Sequence, residues 1–406
     1  MNRRSMPRVV FLGTHGQHNI GDELLLESFL HQFGPDAHYV INTYDKEFTE
    51  AQLGDRYSFE LIDTARDRFA LLRQLLRADR VVFGGGSIVK ELYATTGRNR
   101  YATLLIVLAV ALFTRRIARC PVAAFNIGVG PITTPMGRRI ARLLLRQMDL
   151  VTVRDQGSLS LCRSLGIDAR LVPDAVFSVS REWLLEEPVL ERSPGPLRIA
   201  LNLNYDIENP DNWDHFTTHL AEGLRRIAAR QPIEIHSLPM QSRFKDHDDA
   251  SVLRSFARQL PETPFVHHTP TSPQEASRVI AGCDLVVSER FHAIVMAAML
   301  GVPSFVLAYD VKVRELSSLL GLDEYTVDIN APFPAAAVEG PLAAMIDDLG
   351  AVRERLAGPA SELCRRAGES FVASREWTVG EPDEVWPAGR WYASIGASRS
   401  SRRGEA

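Results

Sequence analysis

The 406-residue sequence predicts an α/β protein built from two doubly wound domains. Three observations predict it. Short apolar runs alternate with helical runs, a proline-rich break interrupts them near mid-chain, and the same alternation then restarts. In the first half, residues 9–12, 81–83, 122–127 and 150–153 are almost wholly apolar, as parallel strands covered on both faces are. Residues 24–33, 102–113, 138–148 and 158–165 carry the helical pattern between them. Residues 186–196 hold three prolines and a glycine among charges and read as a linker.

Beyond the linker, residues 197–203, 233–238, 264–267, 285–287 and 304–307 are the expected strands. Residues 215–230, 250–259, 273–283 and 292–300 are the expected helices. The expected division is therefore 1–185, 197–375, and an irregular tail at 377–406 whose polar end, 398–406, is expected to be disordered. Residues 331–340, rich in alanine and proline, are expected to form a loop. Ligands of such sheets bind beyond the carboxyl ends of the strands, so a cleft between the two domains is the expected site.

Composition narrows the function classes. With 46 basic and 50 acidic residues the formal charge is -4, which gives no sign of a nucleic-acid partner. Cys120, Cys162, Cys283 and Cys364 are far apart and form no CxxC pair, so neither a disulfide framework nor a zinc site is indicated. The basic residues before Val9 run into only four apolar residues before Gly13, too few for a signal peptide, so a cytoplasmic protein is expected. The apolar stretch 102–113 is too short to span a bilayer, which takes about 20 residues. Arg115, Arg116 and Arg119 follow it. It reads either as a buried helix with a basic end or as a patch at a membrane surface.

The chemistry is expected at strand-to-helix turns. The turn 13–22 offers glycines and a helix N-terminus to an anion through Asn19, Gly21 and Asp22, with Asn19 or Asp22 as the cap. It lacks both the GxGxxG spacing and a Walker lysine. His15 and His18 lie three apart without a third ligand, and no metal is expected. Gly84, Gly85 and Gly86 follow the run 81–83 and suit a ligand or another backbone equally well. Asn126 to Pro131 form the third turn. In the fourth, Asp155 is a candidate cap and Arg154 a candidate anion contact; Asp174 is as much a turn residue as a ligand contact. The strongest signal is Asp284 to Ala293. There Ser288, Glu289 and Arg290 leave a buried strand and His292 opens an apolar helix, with Tyr309, Asp310 and Lys312 after the next strand. Arginine grips carboxylate or phosphate bidentately, and histidine passes protons near neutral pH.

In this order, Asn19-Ile20-Gly21-Asp22, Phe83-Gly84-Gly85-Gly86-Ser87, Gly128-Val129-Gly130-Pro131, Arg154-Asp155 with Ser158, Val172-Pro173-Asp174, and Ser288 to Ala293 with Gly301-Val302-Pro303 resemble the polysaccharide pyruvyl transferase family. The likeness runs from Val9 to about Leu320. It implies two Rossmann-like doubly wound domains facing a cleft, as in GT-B glycosyltransferases. It implies phosphoenolpyruvate as donor, bound mainly by residues 197–375, and a saccharide acceptor, lipid-linked or free, on the side of residues 1–185. Arg290 and His292 match the family's donor-binding pair. Arg154, Lys312 and Ser288 are expected as further donor contacts, and Asn19, Gly21, Asp22, Gly85 and Gly86 as acceptor or anion loops. Beyond phosphoenolpyruvate as co-substrate, no cofactor and no metal is expected, and the expected location is the cytoplasm, either free or at the inner face of the membrane. Two rivals use the same sequence differently: a glycosyltransferase with a nucleotide-sugar donor, and a non-catalytic protein that keeps the fold. The Arg290–His292 pair speaks against the second.

Overall fold

The computed structural model describes residues 6–64, 66–92, 99–187, 195–205, 212–242 and 248–380. They form two compact units. Unit 1 takes Met1–Gln17, Leu25–Ser178 and Arg365–Ala406; unit 2 takes His18–Leu24 and Val179–Cys364.

Unit 1 holds seven parallel strands: β1 (Arg8–Leu12), β2 (His38–Thr43), β3 (Ser58–Asp63), β4 (Arg80–Gly84), β5 (Val122–Ile127), β6 (Leu150–Val153) and β7 (Arg170–Leu171). Their order is β3-β2-β1-β4-β5-β6-β7, so the winding reverses between β1 and β4. Every residue of β5 and β6 is buried, which explains their mostly apolar sequence, broken only by Asn126 and Thr152. Strands β2 and β3 mix polar and apolar residues and escape that pattern. β3 lies at the sheet edge, where exposure alternates along the strand.

Unit 2 holds β8 (Leu197–Asn202), β9 (Ile233–Ser237), β10 (Phe265–His267), β11 (Leu285–Ser288), β12 (Ser304–Ala308) and β13 (Thr326–Asp328), all parallel. The order β10-β9-β8-β11-β12-β13 reverses its winding between β8 and β11. The two doubly wound sheets are those the alternating pattern predicts.

The structure corrects several expectations. The segment 331–340 is not all loop: a helix, Ala336–Asp347, begins within it, and its buried face of Val338, Leu342, Ala343 and Met345 holds it despite the internal Pro341. Residues 377–379 are not irregular but end a 31-residue helix, Leu349–Val379. The remainder of the expected tail, 381–406, and residues 188–194 of the expected linker lie outside the described residues.

That last helix also shifts the domain division. From Arg365 onward it groups with unit 1. Phe371 packs on Phe29 at 5.2 Å and Phe33 at 6.0 Å between ring centroids, and Trp377 stands edge-on to Phe125 at 5.6 Å. Arg80 donates its Nε–H to the Trp377 carbonyl at 3.1 Å and lays its guanidinium over the indole. Conversely, residues 18–24 and the helix Arg181–Leu185 group with unit 2. Among the described residues no helix is long and apolar enough to cross a membrane. The four cysteines are free thiols, and burial pushes Cys120 and Cys162 up to about 12.

Candidate functional site

In unit 2 the chemistry gathers at the carboxyl ends of β8, β11 and β12, at the point where the winding reverses. Open α/β sheets bind ligands there because the loops diverge and leave a crevice. Strand β11 ends at Ser288, and the helix Phe291–Leu300 starts within three residues. Arg290 is its N-cap in extended conformation, and Gly301, left-handed at φ 71°, closes it.

The turn is pinned from below. Ser288 is fully buried, and its hydroxyl donates to Asn202 Oδ1 at 3.1 Å. The Arg290 backbone N–H reaches Ser288 Oγ at 3.0 Å. Ser288 therefore shapes the turn beneath the donor-binding role expected of it. Glu289, also fully buried, accepts the backbone N–H and the amide of Asn204, both at 3.1 Å. Such a turn leaves the neighbouring Arg290 little freedom.

The Arg290 guanidinium meets Asp249, with Nη2 at 2.6 Å from Oδ1 and Nε at 3.3 Å from Oδ2. Asp249 is 1% exposed and also accepts Asn202 Nδ2, Met240 N and Gln241 N at 3.0–3.2 Å. A guanidinium carries five N–H donors in a rigid fork, and Asp249 takes two of them. The carboxylate thus aims the fork as well as offsetting its charge. Arg290 keeps 16% side-chain exposure.

His292 stands one residue into the helix, half-buried, and packs on Gly21. A Cβ at residue 21 would fall 2.2 Å from His292 Nδ1, well inside contact distance. Gly21 sits there because the chain at 18–20 pairs with the segment after β9: Ile20 N donates to Met240 O at 2.9 Å and Ser242 N to His18 O at 3.1 Å. Asn19, not Asp22, caps the helix Ile20–Phe33, accepting Gly21 N at 3.0 Å. Gly21 thus reaches His292, although more than 260 residues separate them in sequence, while Asn19 bridges to Gln241.

Strand β12 delivers the rest. Asp310 caps the helix Val311–Leu319 and pairs with Lys312 Nζ at 2.9 Å. Lys312 also lies 5.4 Å from the Tyr309 ring centroid. Burial pushes the Tyr309 hydroxyl up, against the opposing pull of Lys312 and Arg290. Arg290, His292, Tyr309 and Lys312 are therefore the partly accessible polar groups of one strand-end cluster.

In unit 1 the expected contacts are placed differently. Arg154 leaves β6 as the sequence suggests, but its side chain is 5% exposed and pairs at 3.0 Å with Asp174, itself 1% exposed. This buried pair ties β6 to the turn after β7. Asp174 also accepts Val176 N at 3.0 Å. Asp155 caps the next helix as expected, through Ser158 N at 2.7 Å. Gly85 and Gly86 take φ of 66° and 69°, but Gly85 N donates to Phe125 O and the Gly86 carbonyl accepts Gly128 N. The glycine turn serves close backbone packing against β5. His15 is buried beside Phe11.

Sequence reasoning misses Asp249, Asn202, Asn204 and Glu91. Glu91 is buried and accepts four hydrogen bonds, from the backbones and hydroxyls of Thr133 and Thr134. Burial would raise its carboxyl, but those bonds outweigh it and hold it below the usual range. Asp174 follows a proline at a strand end and so carries a local signal; Asp249, in a run of polar residues, carries none.

Two parallel sheets, each with a winding reversal and one with a cation–imidazole cluster at it, define a GT-B-like α/β protein. The sequence profile of the polysaccharide pyruvyl transferase family matches residues 19–311, and the chain belongs to that family of transferases. No curated protein sequence matches it significantly. Solved structures similar in fold include a glycosyltransferase from Rickettsia africae, at TM-score 0.57 and 10% identity over 92% of this chain and 99% of that one. A UDP-GlcNAc 2-epimerase from Methanocaldococcus jannaschii gives 0.55 and 15%, over 84% and 93%. The UDP-GlcNAc 2-epimerase from Neisseria meningitidis, bound to UDP-GlcNAc, gives 0.54 and 9%, over 89% and 99%. At such identities the likeness concerns the fold.

Proposed function

We propose that the protein transfers the pyruvyl group of phosphoenolpyruvate to a hydroxyl pair of a cytoplasmic saccharide precursor of a surface polysaccharide, forming a cyclic ketal and releasing phosphate. The observation that carries this reading is the shared turn of Arg290 and His292 at the winding reversal of unit 2, with Gly21 set against the imidazole. Family membership makes a polysaccharide-directed transferase the frame; the donor and the ketal are inferred from the chemistry of the cluster.

Phosphoenolpyruvate presents a carboxylate and a phosphate. A fixed guanidinium and an ammonium suit both. In this scheme Arg290, aimed by Asp249, and Lys312, braced by Asp310, hold the donor anions, so unit 2 is the donor side. The methylene carbon takes a proton from His292. The electron pair of the double bond forms the new C–H bond and leaves cationic character at C2. A sugar hydroxyl adds there and gives up its proton, the C–O bond to phosphate breaks, and the second hydroxyl closes the ketal. The two hydroxyl protons balance the one placed on carbon and the one leaving with phosphate. General acid–base help of this kind is worth about 10²–10⁴-fold. The scheme calls on no metal or further cofactor.

Calorimetric titration with phosphoenolpyruvate and with UDP-sugars, on wild type, Arg290→Ala and His292→Ala, tests it together with phosphate release over a panel of saccharide acceptors. Saturable phosphoenolpyruvate binding is expected, weakened at least about tenfold in Arg290→Ala. His292→Ala is expected to lose about 10²–10⁴-fold in turnover with donor affinity within a few-fold of wild type. Equal loss of both would leave His292 a binding role. Selective binding of a UDP-sugar, with none of phosphoenolpyruvate, would replace the reading with a nucleotide-sugar glycosyltransferase.

A further inference from the structure

We infer that unit 1 carries a docking face for an anionic lipid bilayer, formed by the helices Ala102–Phe113 and Pro135–Leu145 and the turn between Phe113 and Cys120. The inference is independent of the donor chemistry proposed above. It starts from an asymmetry in sequence. Residues 92–148 contain nine arginines and no aspartate, glutamate or lysine, in a chain whose overall charge is -4. The rest of the chain is correspondingly acidic.

The same stretch contains the helix Ala102–Phe113, ATLLIVLAVALF, with no charged side chain on any face. A helix apolar all round is normally buried. Here Leu104 and Ala111 are buried, while Leu105, Ile106, Ala109 and Leu112 are exposed. Their spacing, i, i+1, i+4 and i+7, puts them on one face. Ile106 is 64% exposed. The chain then makes one wide turn of π-helix, Thr114–Ala118, that projects Ile117, 62% exposed, among Arg115, Arg116 and Arg119, all exposed. The neighbouring helix adds Met136 and Leu143, each at least half exposed, with Arg139, Arg142 and Arg146 exposed around them.

Isolated exposed leucines are ordinary, but a contiguous apolar face in one unit marks an interaction surface. The charge pattern selects the partner. A second copy docking symmetrically would bring the arginine rims together, with the nearby Asp149 already engaged by Arg115. A bilayer with anionic headgroups meets both components: apolar side chains enter the interfacial zone, and guanidinium groups stay at headgroup level. Arg115 retains an ion pair with Asp149 at 3.0 Å, which holds the turn in place beside the apolar face.

The test is sedimentation of the full chain with vesicles of phosphatidylcholine alone and with about 30% phosphatidylglycerol, alongside its mass in solution by light scattering. Binding to the anionic vesicles is expected, at least about tenfold above the neutral ones, and falling as salt rises. The variant Ile106→Glu with Leu105→Glu is expected to abolish it. Replacing Arg116 and Arg119 with Gln is expected to weaken it about fivefold per arginine. These residues are exposed, so thermal midpoints near wild type are expected, and Arg116→Gln with Arg119→Gln gives a second reading that leaves the apolar face intact. Absence of binding to anionic vesicles at low salt would overturn the inference. A wild-type dimer that Ile106→Glu dissociates, with no vesicle binding, would assign the face to a second copy instead.

Discussion

Arg154 in unit 1 and Arg290 in unit 2 occupy similar local positions: each leaves the carboxyl end of an interior parallel strand, within two residues of the helix that follows. In sequence they look alike. In structure Arg154 is nearly sealed against Asp174, with side-chain exposures of 5% and 1%, while Arg290 keeps an accessible edge and only its partner Asp249 is sealed. The same contrast extends outward. Elsewhere in unit 1, the Gly85–Gly86 turn and Glu91 likewise spend hydrogen bonds on backbone and hydroxyls. Around Arg290, Ser288, Glu289 and Asn204 do that work in the buried layer, and His292, Tyr309 and Lys312 stay half-buried beside it. An arginine at a strand end is thus a chemical group only where other residues take over the bracing.

The largest expected effect is on the closed side of this contrast. Asp174→Ala leaves the Arg154 guanidinium buried without its carboxylate and is expected to cost about 3–5 kcal/mol, read as a lowered denaturant midpoint. Arg290→Ala is expected to cost clearly less, because Asp249 still accepts from Asn202, Met240 and Gln241. Equal destabilisation by the two would erase the distinction drawn between the sites.

Gly21→Ala is expected to act on the other side. The added methyl would lie 2.2 Å from His292 Nδ1 and push the imidazole from its place. Turnover is expected to fall about 10²-fold, the cost of misplacing a reacting group by about an ångström. Thermal stability is expected to change little, since alanine favours the helix that residue 21 belongs to. Unchanged turnover would show that the position of His292 does not matter to the reaction.

The smallest expected effect concerns Glu91. An acid held below its unfolded value takes up its proton at lower pH in the native state than in the unfolded chain. Its stabilising contribution is therefore complete above the usual carboxylate value of 4.5 and fades as pH falls through the folded value. Glu91→Gln is expected to cost about 1–3 kcal/mol near neutral pH, since an amide cannot accept all four bonds. Denaturation measured from neutral pH down to about 3 is expected to show the gap to wild type closing in that acid range. A gap constant with pH would mean the bonds act no differently on the charged carboxylate.

Much of the architecture is legible in the amino-acid order alone. Strands β5 and β6 are buried on both faces, so burial writes itself into runs that are apolar but for Asn126 and Thr152, and their bounds can be read directly. Edge strand β3 is half exposed and its signal dilutes. The terminal helix, Leu349–Val379, shows a further limit: nothing in its sequence says that Phe371 and Trp377 belong to the first unit. At the site, Arg290, His292 and Lys312 are recognisable because glycine, proline and charge cluster at strand ends. Asp249 and Asn202 are not, because an acceptor for a guanidinium needs no local pattern of its own.

By itself, then, the sequence determined the two alternating strand–helix halves, the turns that could bear chemistry, and the arginine-rich, acid-free stretch at 92–148. These depend on periodicity and composition, which act over a few neighbouring residues. Only the tertiary structure decided that Arg154 is sealed and Arg290 is not, that Gly21 backs His292, and that the apolar helix at 102–113 presents one face outward. Those outcomes depend on which distant segments fill the space beside each side chain, and that is a property of packing among segments far apart in the chain.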